Sequence, residues 1–193
     1  MKYYTEQSLG FTLIELLVTI GIFTMLTGIV LANYRTYDTN ALFANASEDV
    51  VLSLRQAQVY GVGVKAHAGS FTTPYGVYFE AGQNKIIMFA DTAPAGNPSG
   101  DGIYTGGSDV IVDTITWKSN IKIKTQFTNG VLCDSLPFAA VSVTFTRPNP
   151  DAVINNGASL CTTDAKITLE DANTNKSSRV TISSAGQISL QSI

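Results

Sequence analysis

Residues 11–32 (FTLIELLVTIGIFTMLTGIVLA) form a 22-residue apolar run interrupted by one charge, Glu15. About 20 apolar residues are enough for a helix to cross a bilayer. Lipid, other helices or removal are the possible fates of such a run, and each constrains the rest of the chain. The 193 residues leave room after it for one domain of ordinary size. Only 14% of the residues are charged, against a usual value of about 25%, while 45% are hydrophobic. That balance excludes a solvated, disordered tail. The net charge of −3 argues against a nucleic-acid binder that works by broad phosphate neutralisation, and no nucleic-acid partner is expected.

The helical pattern continues past the apolar run. Residues 33–60 contain neither proline nor glycine. Phe43, Ala46, Val50, Leu54 and Ala57 recur at spacings of 3, 4, 4 and 3, which is one face of a helix. Glu48, Asp49, Arg55 and Gln56 fall mostly off that stripe. Gly61-Val62-Gly63 supplies a stop. The spacing predicts one helix from Phe11 to Tyr60, its first half suited to lipid and its second half to a packed surface.

After Gly63 the pattern turns to short period-two segments. Predicted strands are Tyr75–Glu80, Lys85–Ala90, Val110–Trp117, Ile121–Phe127, Ala140–Thr146, Lys166–Leu169, Arg179–Ser183 and Gln187–Leu190. Gly82-Gln83-Asn84, Ser119-Asn120, Asn155-Asn156-Gly157 and Ser184-Ala185-Gly186 mark turns, and Thr92–Gly107 reads as a loop. The fold class is α+β: a long N-terminal helix packed on an antiparallel β-sheet domain. The boundaries are a leader at 1–10, a membrane-crossing segment at 11–32, an amphipathic continuation at 33–62 and a β-rich domain at 63–193.

Glu15 decides between readings of the N-terminus. A secretory signal has an apolar stretch of about 7–15 residues and a small-residue cleavage site. Val30-Leu31-Ala32 passes as such a site, but the run is too long and Glu15 sits inside it. A permanent anchor leaves Glu15 unexplained, because a carboxylate in lipid is costly and usually has a partner there. Gly10-Phe11-Thr12-Leu13-Ile14-Glu15-Leu16-Leu17-Val18 resembles the class III signal of type IV pilins and pseudopilins. The resemblance implies the pilin fold and cleavage between Gly10 and Phe11 by a prepilin peptidase that also methylates the new amine of Phe11. It further implies that Glu15 pairs with the N-terminal amine of a neighbouring subunit during filament assembly. Two opposite charges in a low-dielectric medium cost far less together than apart.

Two further stretches are similar to the H-type, FimT-like branch of minor pseudopilins. They are Leu52-Ser53-Leu54-Arg55-Gln56-Ala57-Gln58 and the closing hairpin Arg179-Val180-Thr181-Ile182-Ser183-Ser184-Ala185-Gly186-Gln187-Ile188. The run also lacks the helix-kinking proline common in major pilins. The implied function is structural: a subunit of a type II secretion pseudopilus or a type IV pilus. Its implied partners are other pilins, the peptidase and methyltransferase, an assembly platform and the membrane. The implied location is the cytoplasmic (inner) membrane, single-pass, with the C-terminal domain outside the cytoplasm and later in the filament. The rival reading is a secreted or tethered binding module of adhesin type.

The same resemblance places Cys133 and Cys161 outside the cytoplasm, and many pilins carry a disulfide near the C-terminus. An oxidising compartment favours a bridge between them, worth roughly 3 kcal/mol in the chain-entropy model. Asp91, Asp101 and Asp109 gather among turn residues, where a Ca²⁺ ion could find oxygen ligands. Aspartate and glycine are also ordinary turn formers, and the plain turn is the favoured reading, with no cofactor. The single histidine, His67, has no G-x-S-x-G motif beside it, and no phosphate-binding loop motif occurs, so an enzyme is not expected. Lys118, Lys122 and Lys124 read as a solvated sheet edge guarded by lysine.

Overall fold

A computed structural model of the chain describes residues 10–63, 65–67, 70–92, 100–128, 139–157, 160–161 and 164–193. The chain divides into two compact units, the residues up to Ala41 and Leu42–Ile193. Helix α1 runs over Leu13–Val62. It extends two residues beyond the expected end at Tyr60. The first unit contains its N-terminal part, and the second contains the rest of it together with ten strands.

The strands are β1 (Tyr75–Glu80), β2 (Lys85–Ala90), β3 (Val110–Thr116), β4 (Ile121–Thr128) and β5 (Ala140–Phe145), followed by β6 (Ala152–Asn155), β7 (Leu160–Cys161), β8 (Asp164–Asp171), β9 (Lys176–Ser183) and β10 (Ile188–Ser192). All eight expected strands are present with ends shifted by a few residues, and β6 and β7 are additional. Those two are short: β7, with two residues, is below the length at which alternation can be read, and β6, with four, is at its lower limit. Turn chemistry is legible: Gly82, Gly157 and Gly186 take the positive φ values of 81°, 84° and 76° that favour glycine.

The strands form two antiparallel sheets, ordered β3-β2-β1-β5-β6-β7 and β10-β9-β8-β4. Sequence periodicity gives no reason to separate them, because both use the same alternation. The chain leaves the first sheet after β3, starts the second with β4, returns through β5–β7 and then completes the second. β4 was expected to be an edge guarded by lysines. It is an edge strand, but the Ile123 carbonyl accepts from Gly82 N–H at 2.8 Å and its N–H donates to the Gln83 carbonyl at 2.9 Å. The β1–β2 turn thus closes that edge with main chain and ties the two sheets together.

The predicted stripe of α1 is the core face: Phe43, Ala46, Val50, Leu54 and Ala57 are all buried, with Glu48, Arg55 and Gln56 exposed. They join one apolar cluster with residues of both sheets, among them Val77, Phe79, Val143 and Phe145 from the first and Ile123, Leu169, Val180 and Ile182 from the second. Polar contacts orient the helix on this surface. Ser47 Oγ and Ser178 Oγ share a buried hydrogen bond at 2.6 Å. Gln58 Nε2 donates to the carbonyls of Pro150 and Gly186, both at 3.0 Å, and Trp117 Nε1–H donates to Asp49 Oδ2 at 3.0 Å.

The helix ends at Val62, inside the Gly61-Val62-Gly63 stretch expected to stop it. Gly61 lies within the last turn, four residues on from Ala57, where a Cβ would strike the main-chain carbonyl of Phe145 in β5. Its function is close approach. In an open helix, Gly→Ala gains about 1 kcal/mol. Here the collision reverses the sign, and Gly61→Ala is expected to destabilise by about 1–3 kcal/mol. Urea unfolding of the full chain in detergent checks this; a raised midpoint would mean that the helix can move away from β5 without loss.

Candidate functional site

The three candidate aspartates lie on a loop that covers the outward face of the six-stranded sheet. Tyr104 donates its backbone N–H to Ser142 Oγ at 2.9 Å, and its ring packs on Tyr78 and Phe89, with centroids 4.8 and 5.2 Å away. This cover explains why β5 is buried on both faces, Ser142 and Thr144 included. Asp91 is 1% exposed. Its Oδ1 accepts from Asp101 N–H at 3.2 Å and its Oδ2 from Gly102 N–H at 2.7 Å. Gly100 and Gly102 have φ of 64° and 78°, and a Cβ on Gly100 would collide with the Asp91 carboxylate. Glycines of this kind turn successive amides inward as an anion nest.

Asp109 works in the same manner, accepting from Thr92 N–H at 2.8 Å and Thr105 N–H at 2.7 Å. Asp101 Oδ1 accepts from Ile103 N–H at 2.9 Å. The loop's own amides therefore serve these carboxylates. Among the described residues no three Asp, Glu, His or Cys side chains are gathered to hold a metal ion. As placed, the aspartates anchor the loop through its own amides. The signal for this was in the sequence: Gly100-Asp101-Gly102 supplies the two positive-φ positions around a carboxylate.

Burial pushes the Asp91 carboxyl up to about 6; the two amides oppose the shift, and the charges of Asp109 and Asp101 add to it. Asp171 shows the contrary balance. Burial raises it, but hydrogen bonds from Asn120 Nδ2, Asn173 N–H and Thr174 Oγ1–H outweigh burial and hold the carboxyl below its ordinary value. Asp171 thereby fastens the β8–β9 turn to the β3–β4 turn, with Ala172 N–H donating to the Asn120 carbonyl at 3.0 Å.

His67 is half-buried and, among the described residues, only its main chain is engaged, pairing with Ser70 through two backbone hydrogen bonds of 2.8 Å. Cys133, half of the expected disulfide, lies outside the described residues, as do residues 1–9.

A pH dependence follows from Asp91. Its folded pKa exceeds the unfolded one, so the folded state holds the proton more tightly. The stability it contributes is full below about pH 4 and is lost as pH rises to about 6, a change on the order of 3 kcal/mol. Asp91→Asn removes this slope. Denaturation of both proteins at steps from pH 4 to 7 is expected to show the wild type losing ground to the variant. A constant difference would contradict the buried, proton-retaining carboxyl.

The N-terminal segment has a different character. Every side chain from Phe11 to Ala32 is exposed, and an 18-residue window of the helix reaches a mean hydropathy of 2.2 with none of it buried. Thr12 caps the helix: its Oγ1 accepts from Glu15 N–H at 3.3 Å and its carbonyl from Leu16 N–H at 3.1 Å. Thr12 and Glu15 are thus the first and last residues of a T-x-x-E capping pattern, a local role not expected for Glu15 from sequence. A carboxylate in the first turn also meets the positive end of the helix dipole. Thr19, Thr24 and Thr27 return their hydroxyls to the carbonyls of Leu16, Gly21 and Phe23 at 2.8–2.9 Å. Their polar groups are satisfied within the helix, which suits lipid. Nothing lies within 4 Å of a Cβ built on Gly21 or Gly28.

No curated protein and no solved structure matches the chain. The family profile described as the prokaryotic N-terminal methylation motif matches residues 7–31. This motif implies processing by prepilin peptidase and assembly with other pilin subunits. That motif lies on a capped, fully exposed apolar helix ahead of antiparallel sheets, an arrangement that supports a type IV pilin-like protein.

Proposed function

We propose that the chain is a minor subunit, a minor pseudopilin or minor pilin, of a type II secretion pseudopilus or a type IV pilus. The observation that carries this reading is the methylation motif at residues 7–31 on an apolar helix with no cover of its own. Prepilin peptidase cuts between Gly10 and Phe11, and the amine of Phe11 is methylated. Residues 11–32 hold the protein in the cytoplasmic membrane with the β domain outside the cytoplasm. The assembly platform then draws the helix into the filament.

Glu15 lies four residues after the new terminus. Its carboxylate and the cationic amine of a neighbour neutralise one another on leaving water, where each alone is costly. The minor role is supported by the helix segment Leu52–Gln58, by the β9–β10 hairpin and by the absence of proline throughout α1. The β domain is then the displayed part.

Two measurements test this reading. The intact mass and N-terminal sequence of the protein, expressed with its native membrane machinery, should show a chain starting at N-methyl-Phe11. A start near Asn33 or at Met1 would favour the secreted or tethered binding module instead. Glu15→Val should leave the domain folded and membrane-inserted while incorporation into filaments falls below detection. Normal incorporation would refute the charge pairing.

A further inference from the structure

The four-stranded sheet has one face in the core and one facing outward. On β9, Ser178, Val180 and Ile182 are buried, so Ser177, Arg179, Thr181 and Ser183 point away. On β8 the outward positions are Asp164, Lys166, Thr168 and Glu170, and on β4 they include Lys122 and Lys124. Four cations and two acids share this face of a chain whose net charge is −3. Glu170 is engaged by Lys124 at 3.0 Å, and Asp164 stands at the far end of β8. The side chains of Lys122, Lys166 and Arg179 make no hydrogen bond or ion pair among the described residues.

The register sets Lys124, Thr168, Arg179 and Gln191 in one row across all four strands. Thr168 is 5% exposed although it faces outward, and its Oγ1 has no hydrogen-bond partner. Arg179 Nε, on the residue directly opposite, is likewise buried without one. Side chains opposed in this way are about 5 Å apart at Cβ. An unmade bond at a buried donor is costly, and here two such groups adjoin. Both atoms are closed to solvent, so an oxyanion oxygen would accept from them once the Arg179 side chain turns outward, with Lys124 and Lys166 flanking it.

We infer that the outward face of β4, β8 and β9 binds an acidic polysaccharide, its sulfate or carboxylate groups seated at Thr168 and Arg179. Among the described residues this face carries no aromatic side chain, so bases have nothing to stack on. It also lacks the apolar centre of a stable protein interface. A polymer with repeated oxyanions and hydroxyls meets its lysines, arginine, threonines and serines. Lys122 and Lys124, about 7 Å apart along β4, extend the track.

The test uses the full chain in detergent micelles, unassembled, so that failure of the filament reading leaves its outcome unaffected. Binding of dextran sulfate, polygalacturonate, neutral dextran and random-sequence duplex DNA is measured at low and high salt. At least one acidic polysaccharide should bind, weaken with salt and exceed both other polymers; which of the two binds tells sulfate from carboxylate. Arg179→Gln should lower that affinity at least about tenfold. Thr168→Val should lower it several-fold with an unchanged or raised thermal midpoint, because the hydroxyl it removes bonds to nothing in the folded protein. Arg179→Lys keeps the charge but loses Nε and should bind more weakly than wild type. Wild-type binding by that variant, tighter binding of duplex DNA, or no binding of either acidic polymer would overturn the assignment.

Discussion

The stripe of Phe43, Ala46, Val50, Leu54 and Ala57 is the contact on which the β domain depends. Each sheet has an apolar face, and both contribute to the cluster that this stripe completes. Without it, residues such as Phe79, Phe145 and Leu169 would lose their cover. Close approach matters as much as hydrophobicity. Gly61 carries no side chain, so the helix backbone can come down onto β5 at Phe145. The hydrogen bonds of Ser47, Asp49 and Gln58 then select one rotation of the helix, which burial alone, being non-directional, cannot do.

Few charges are present, and several of the acids hold backbone in place. Asp91, Asp109 and Asp171 each collect donors from a turn or loop. Their opposite pKa directions follow from the balance of the same forces. Asp171 receives enough hydrogen bonds to overcome burial, whereas Asp91 receives two amides and stands near two other carboxylates. These carboxylates anchor loop backbone, and the nest around Asp91 comes from its glycines.

Residues 11–32 obey different physics. Their helix satisfies its own backbone and threonine hydroxyls and leaves its apolar side chains uncovered. Such a segment needs lipid or other helices around it, and the methylation motif lies on it. Glu15 fits this economy twice. It lies in the capping turn with Thr12, where the helix dipole favours its charge, and its place after Phe11 suits pairing with a neighbour.

Local physics made much of this legible. Helix period, strand alternation and turn glycines are properties of short windows, so α1, its core stripe and eight of the ten strands could be read directly. The motif around Gly10–Glu15 is likewise contiguous, and the family profile of the N-terminal methylation motif spans it. The short strands β6 and β7 did not announce themselves. Their pairing with β5, the division into two sheets and the closure of β4 by the β1–β2 turn arise from contacts between distant residues, which alternation does not encode. The same holds for Gly61, whose purpose becomes clear only when the Phe145 carbonyl stands before it, and for Thr168 and Arg179, which the register alone brings face to face. Sequence by itself determined the elements and the apolar segment's need for cover. Tertiary structure decided which faces meet, because burial and hydrogen bonding between remote residues depend on the whole chain being in place.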